Sequence, residues 1–132
     1  MLHLIKLCVG CDSVEDLAQW QRNRSPVEHW TRNRPKRADE ILAGGSLYWV
    51  IKGQIRVRQR IMKLDRREND EGVWCAIVFG RRLTRVRPRF HRPFQGWRYL
   101  ETKDAPPDLV KGEVSDELPE ALASELRALG LL

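Results

Sequence analysis

Three strand-like segments follow one another in the middle of the chain. Ser46–Lys52 is almost wholly apolar, and Val73–Phe79 is the most apolar strand segment in the sequence. Between them, Ile55–Leu64 alternates, so that its apolar side chains are expected on one face and its arginines on the other. Gly53–Gln54 and the charged segment Asp65–Gly72 provide the turns. Because strands and helices do not alternate as in a parallel sheet, the pattern predicts a mainly antiparallel one.

The flanking segments predict shorter elements. Ser13, followed closely by carboxylates, caps a helix that extends to about Arg22. Gly44–Gly45 ends a second helix over Lys36–Ala43. Further strands are predicted at Leu2–Val9, Val27–Arg32, Leu83–Arg89 and Arg92–Leu100. We therefore expect an α+β fold, a small and mainly antiparallel β-barrel that is closed on itself and flanked by short helices.

The C-terminal part has a different pattern. Pro106 and Pro107 stiffen a linker, after which leucines recur at helical spacing, namely Leu118, Leu122, Leu126 and Leu129. This spacing predicts an amphipathic, acidic helix that starts near Pro119 and ends at Gly130. We expect the barrel to occupy residues 1–103, and the linker and helix, packed on the same domain, to occupy residues 104–132.

Size and composition fit one globular domain. The chain has 132 residues, of which 42% are hydrophobic and 32% charged. No apolar run approaches the ~20 residues that cross a bilayer. The apolar start, Met1–Gly10, contains His3 and Lys6 and lacks the uninterrupted core of a secretory signal. We expect a cytoplasmic protein with no membrane partner.

Charge is distributed unevenly along the chain. Residues 1–100 contain 21 Lys and Arg against 10 Asp and Glu, whereas residues 101–132 contain 3 against 8. The 28 residues Val73–Leu100 include no acidic side chain, but they include seven arginines with aromatic residues between them. A cationic surface with aromatic rings suits a polyanion whose bases can stack, which is single-stranded or looped nucleic acid.

The candidate nucleic-acid site lies on the predicted strands. Alternate residues on one strand face are ~6.6–6.8 Å apart, so a row of guanidinium groups can follow a phosphate backbone. We expect phosphate contacts from Arg56, Arg58, Arg60, Arg85, Arg87 and Arg89. Trp97 and Tyr99 are the candidates for stacking on a base. The alternative is a solvated face that the acidic C-terminal helix neutralises.

The sequence contains no phosphate loop, dinucleotide fingerprint or hydrolase signature. An enzyme that acts on a nucleoside or modified base is nevertheless an alternative, with Trp49, Lys52 and His91 as pocket candidates. Asp39 and Glu40 are neighbours on a short helix, so they point in different directions and make a poor acid–base pair. We expect no cofactor.

Cys8 and Cys11 have the C-x-x-C spacing of zinc sites and thiol–disulfide sites. A structural zinc needs four ligands, and the remaining candidates, Cys75 and the histidines, are scattered. Cys8 also lies in an apolar strand pattern, where cysteine is a common buried residue. We favour a structural role over a redox role and expect no metal site.

Several strings of the sequence resemble one family along nearly the whole chain. They are PKRADEILAGGSLYWVIKGQI (Pro35–Ile55), RPFQGWRYL (Arg92–Leu100), DAPPDL (Asp104–Leu109) and the opening LHLIKLCVG. The family consists of small alphaproteobacterial proteins that share a domain of unknown function. The resemblance implies a bacterial protein and no particular activity. In that family the position of Cys11 is not usually cysteine.

A looser resemblance is to the PUA-like superfamily, including its ASCH and EVE branches. It rests on a helix that leads through a glycine turn into a strand, here Lys36–Gly45 followed by Ser46–Gly53. It implies a PUA-like β-barrel and either RNA binding or recognition of a modified base. The G-x-K-x-x-E string of the ASCH group is missing after Gly45, so the resemblance does not extend to an ASCH-type enzyme.

Together these observations predict a nucleic-acid-binding module, for RNA above all, that uses the arginine face and aromatic stacking. The first alternative is the enzyme on a nucleoside or modified base. The second is a protein-interaction module or homodimer, in which the acidic helix Ser115–Leu129 docks on a basic partner face.

Overall fold

The computed structural model describes residues 1–109 of the 132-residue chain. The elements in chain order are β1 (Leu2–Leu7), α1 (Val14–Gln21), β2 (Glu28–Thr31), α2 (Ala38–Leu42), β3 (Ser46–Ile51), β4 (Gln54–Asn69), β5 (Gly72–Phe90) and β6 (Trp97–Glu101). The predicted C-terminal helix lies outside the described residues. Within residues 1–109, no helix is long and apolar enough to cross a membrane.

The six strands of this part of the chain form one mixed sheet in the order β2-β5-β4-β3-β1-β6. Neighbouring strands are antiparallel except β1 and β3, which are parallel. α1, β2 and α2 lie between these two strands in sequence and supply the crossover that parallel neighbours require. The α+β class and the mainly antiparallel sheet are confirmed. The closed barrel is wrong, because over residues 1–109 the edge strands β2 and β6 do not pair with each other.

Two long strands dominate the sheet. The predicted turn Asp65–Gly72 is mostly strand, since β4 continues to Asn69 and β5 begins at Gly72. The predicted strands Val73–Phe79 and Leu83–Arg89 are parts of the single strand β5. Many charged side chains in these stretches are exposed, so they leave the backbone pairing intact.

The predicted alternation along β4 is interrupted. The pairing of β4 with β5 shifts register three times between Ile55 and Lys63. A β-bulge places an extra residue in one strand, so residues two apart no longer need to share a face. Ile55 accordingly packs in a different cluster from Val57 and Ile61. The expectation that these three residues face one way is therefore wrong.

Apolar side chains pack on both faces of the sheet. On the side that we call the helix face, Leu4, Leu47 and Ile77 of the sheet form a cluster with Leu17 of α1 and Ile41 of α2. On the opposite side, the second face, a smaller cluster contains Ile5, Tyr48, Val50, Ile55, Val86 and Leu100.

The sheet curls round on its helix face. His29 of β2 and Trp49 of β3 would be at least ~14 Å apart in a flat sheet, because two strands lie between β2 and β3. Their ring centroids are 6.3 Å apart. The indole of Trp97 in β6 donates a hydrogen bond of 3.0 Å to the carbonyl oxygen of Asn33, just beyond β2. A side-chain hydrogen bond thus connects the two edge regions of the sheet in place of strand pairing.

Polar contacts hold α1 on the sheet. The Ser13 hydroxyl accepts a hydrogen bond of 3.1 Å from the backbone amide of Asp16, which confirms the predicted N-cap. The buried side-chain amide of Gln21 exchanges two hydrogen bonds with that of Gln59 in β4, at 2.9 and 2.7 Å. Gln59 also accepts one from the Trp49 indole at 3.1 Å. Because buried amides need such partners, this network fixes the position of α1.

Gly45 lets the chain after α2 pass close to β1. A Cβ atom there would overlap the carbonyl oxygen of Leu2 and lie 2.6 Å from that of Ile41. We expect Gly45→Ala to lower the free energy of unfolding by about 3 kcal/mol or more, because two backbone segments must move. Urea unfolding measures the loss.

Gly80→Ala is the matched control. Its Cβ would make only ordinary contacts, at 3.8–3.9 Å, with the side chains of Met62 and Arg60. We expect the free energy of unfolding to change by no more than about 1 kcal/mol. Equal losses for the two variants would contradict the close backbone approach at Gly45.

Candidate functional site

A cavity of about 450 Å³ opens on the helix face near the carboxyl end of β1. The sheet contributes Lys6 of β1, His29 of β2 and Trp49 of β3 to its lining, and α1 contributes Leu17 and Trp20. Its volume lies within the ~300–1,000 Å³ range of small-molecule sites. Apolar and aromatic walls with a few polar groups are typical of a site for an organic ligand.

Two basic side chains in this cavity have lowered pKa values. Burial, followed by the positive charge of Lys6, lowers the pKa of His29 from 6.5 to about 4. Burial also lowers the pKa of Lys6 below its usual value. At neutral pH, His29 is therefore a neutral imidazole that can both donate and accept a hydrogen bond.

Cys8 and Cys11 also line the cavity, and they form a disulfide there. The backbone amide of Cys8 donates a hydrogen bond of 2.9 Å to the carbonyl oxygen of Val50, so the pair is tied to the end of the sheet. Cys75 is a buried free cysteine, and burial raises the pKa of its thiol. Within residues 1–109, no group of three or more His, Cys, Asp or Glu side chains is placed to bind a metal ion.

Trp20 lies at the cavity with arginines beside it. Trp20 is 43% exposed, and the guanidinium of Arg24 lies 4.2 Å from its ring centroid. The Arg81 guanidinium donates a hydrogen bond of 2.5 Å to the carbonyl oxygen of Arg24. Arg22 and Arg81 line a smaller recess beside α1. We call Arg22, Arg24 and Arg81 the rim arginines.

Three of the arginines predicted to contact phosphate are buried or paired with acids. Arg56 is only 6% exposed, so the expectation that it faces solvent is wrong; it is the extra residue of a bulge in β4 opposite Trp49 and Val50 of β3. Arg58 donates to both carboxylate oxygens of Asp108, at 2.7 and 2.8 Å. Arg85 forms an ion pair with Glu15 of α1.

The other three, Arg60, Arg87 and Arg89, are exposed. The Arg89 guanidinium donates a hydrogen bond of 2.5 Å to the carbonyl oxygen of Asp104. Exposure is compatible with phosphate contact, which stays a sequence prediction for these residues.

The predicted arginines also divide between the two faces of the sheet. Directly paired residues of neighbouring strands share a face. Arg85 pairs with Val57, which packs in the helix-face cluster, whereas Arg89 pairs with Ile55 of the second-face cluster. A phosphate backbone that follows one face therefore reaches only some of them.

Trp97 and Tyr99 pack edge to face, with their ring centroids 5.0 Å apart. Trp97 is half-buried and makes the hydrogen bond to Asn33 described above. The Tyr99 hydroxyl accepts a hydrogen bond of 3.2 Å from the backbone amide of Arg37. Trp97 thus has a structural role at the sheet edges, and stacking of a base on either ring stays a prediction.

Of the three predicted pocket residues, Trp49 lines the cavity and the others lie elsewhere. Lys52 occupies the turn between β3 and β4, with a φ of 50°, and its ammonium group lies 3.6 Å from a carboxylate oxygen of Asp12. The ring of His91 packs against that of Phe94, with centroids 5.0 Å apart. These positions do not bring the three together in one pocket.

Lys6, Trp20 and His29 line the cavity but were not predicted as site residues from the sequence. Lys6 interrupts a largely apolar strand, and a lysine at such a position is a signal in the sequence that could have indicated a site residue. His29 and Trp20 carry no comparable signal, because it is the curl of the sheet that brings β2 and α1 to the end of β1.

The model of a family described as "Protein of unknown function (DUF1489)" matches residues 4–132. The chain belongs to this family. The resemblance to a family with a domain of unknown function is thereby confirmed, whereas the PUA-like resemblance is not. No curated protein and no solved structure matches the chain. Membership of DUF1489 assigns no activity.

The lowered pKa of His29 predicts a pH-dependent stability. In the unfolded chain His29 binds a proton as the pH falls through about 6.5, but in the folded protein only near 4. The folded state therefore loses stability relative to the unfolded state as the pH falls between these values. We expect the wild type to lose about 1–2 kcal/mol more than His29→Gln between pH 7 and about pH 4.5, after allowance for solvent screening.

Urea unfolding of both proteins at the two pH values measures this difference. The carboxylates titrate in both, so their contribution cancels in the comparison. An equal loss in wild type and variant would contradict a buried, neutral His29.

Proposed function

We propose that this DUF1489 protein binds single-stranded nucleic acid, RNA above all, by taking one unpaired base into the cavity beside Trp20. The observation that carries the proposal is the cavity of about 450 Å³ with aromatic walls, which lies next to the rim arginines. The net charge of +6 over the whole chain favours a polyanionic partner.

Trp20 is the aromatic side chain best suited to stacking. It lines the cavity and is 43% exposed, so a planar group entering from solvent can reach it. Stacking on an aromatic side chain contributes ~1–3 kcal/mol per base and tolerates every base. The neutral imidazole of His29 and the carboxylate of Asp16 in the same cavity can hydrogen-bond to a base edge.

The rim arginines supply the contacts to the backbone. The Arg24 guanidinium lies over the Trp20 ring, Arg81 donates to the backbone carbonyl oxygen of Arg24, and Arg22 lines a small recess together with Arg81. Guanidinium groups bind phosphate oxygens in a bidentate manner and stack on bases. A strand that inserts a base beside Trp20 would therefore bring its flanking phosphates to Arg22, Arg24 and Arg81.

The double variant Arg24→Ala with Arg81→Ala tests the backbone contacts. We expect weaker binding of a short fluorescein-labelled single-stranded RNA in fluorescence anisotropy. Two lost phosphate contacts should lower the slope of log K against log salt concentration by about 1.4, because each releases ~0.7 counterion. Trp20→Ala should weaken binding by about 5- to 150-fold, the equivalent of ~1–3 kcal/mol, with little change of that slope.

Arg89→Ala is the matched control, since Arg89 is an exposed arginine paired with Ile55 on the second face. We expect binding by this variant to match that of the wild type. Equal losses for Arg89→Ala and the double variant would remove the cavity from the interface and favour the predicted strand arginines. No binding by the wild type at low salt would overturn the proposal.

An enzyme acting on a nucleoside or modified base is the second candidate. The observation that favours it is the placement of His29, Lys6 and Asp16 in one cavity, where burial lowers the pKa values of both basic groups. Mass spectrometry of nucleosides from RNA incubated with the protein separates the two functions. A changed nucleoside mass supports the enzyme, and unchanged masses with tight binding support the binding module alone.

A further inference from the structure

The disulfide between Cys8 and Cys11 lies in the wall of the cavity. Both cysteines are partly buried, and the residues between them, Val9 and Gly10, are exposed. Because both cysteines line the cavity, a small thiol that enters it would lie beside the pair. Cys75, by contrast, is buried and free.

Of the charged groups around Cys8 and Cys11, some stabilise a cysteine thiolate and one destabilises it. Lys6 precedes Cys8 by two residues in β1 and lines the same cavity, and a nearby ammonium group favours a thiolate. α1 begins at Val14, so the positive end of its dipole lies close to Cys11 in sequence. Asp16 in the cavity opposes a thiolate, but it accepts a hydrogen bond of 2.9 Å from the backbone amide of Asp12.

We propose that Cys8 and Cys11 are a redox-active dithiol–disulfide pair that exchanges electrons with a small dithiol in the cavity. The C-x-x-C spacing, the position at the end of a strand and the access from the cavity support this role. They favour the redox interpretation over the structural one preferred from the sequence. The redox step requires no bound nucleic acid, although a base and a dithiol would enter the same cavity.

The exchange proceeds in two steps. A thiolate of the external dithiol attacks one sulfur atom of the Cys8–Cys11 bond, which forms a mixed disulfide and releases the other cysteine as a thiolate. The second thiolate of the reductant then attacks the mixed disulfide and releases the remaining cysteine. The reductant loses two electrons and two protons and becomes a disulfide, and the two protons end on the thiols of Cys8 and Cys11.

The full-length chain is equilibrated anaerobically with graded ratios of reduced to oxidised dithiothreitol and then alkylated in the native state. Intact mass and peptide mapping count the modified cysteines. We expect two adducts, on Cys8 and Cys11, to appear together in one two-electron transition as the ratio rises. Cys75 should be modified only after denaturation, because it is buried.

Two variants control the experiment. Cys75→Ser should leave the transition unchanged, and Cys11→Ser should give one adduct, on Cys8, that no longer depends on the ratio. Circular dichroism checks that each variant is folded. Reduction of the pair only after the chain unfolds would show a structural disulfide and overturn the proposal. A pair that stays reduced at every ratio would overturn it as well.

Discussion

Three register shifts along the pairing of β4 with β5 bend the longest hairpin of the sheet, and the site depends on that bend. Bulges increase the local twist and bend the strand that contains them. The resulting curl brings His29 of β2 to within 6.3 Å of Trp49, across two intervening strands. Without it, the residues of the cavity would be spread over a flat surface. The curl stops short of strand pairing between β2 and β6, and the hydrogen bond from Trp97 to Asn33 connects those edge regions.

The position of α1 is the second requirement of the site. The amides of Gln21 and Gln59 satisfy one another inside the core, and Gln59 also bonds to Trp49 and to the carbonyl oxygen of Gly80. A fully satisfied buried network specifies one arrangement, since any shift leaves polar groups without partners. The helix is thereby fixed with Leu17 in the core and the neighbouring Trp20 at the cavity.

Local features of the fold were predictable, because adjacent residues determine them. The apolar runs of β3 and β5 and the Ser13 cap could be read from the sequence. The division of the arginines between the two sheet faces, and between exposed and acid-paired positions, could not be predicted. Bulges reorient residues of β4, and the acidic partners are distant in sequence. Glu15 lies 70 residues from Arg85, and Asp108 lies 50 residues from Arg58.

The cavity was unpredictable for the same reason, since its residues come from β1, α1, β2 and β3 and meet only in the curled sheet. The charge pattern along the strands therefore indicated that this DUF1489 chain is cationic, but it did not indicate the cavity or the arginines near it. The arginines beside Trp20 belong to two segments, Arg22 and Arg24 after α1 and Arg81 in β5, that no sequence motif connects.

The most direct measurement of the central claim is a nuclear magnetic resonance titration of the ¹⁵N-labelled protein with a short single-stranded RNA. Each of the five tryptophans gives its own indole N–H signal. A base inserted into the cavity predicts saturable shifts of the Trp20 and Trp49 signals, with the Trp74 signal unchanged. Shifts of Trp97 or Trp74 alone, or no saturable shift, would contradict a binding site formed by the curled sheet.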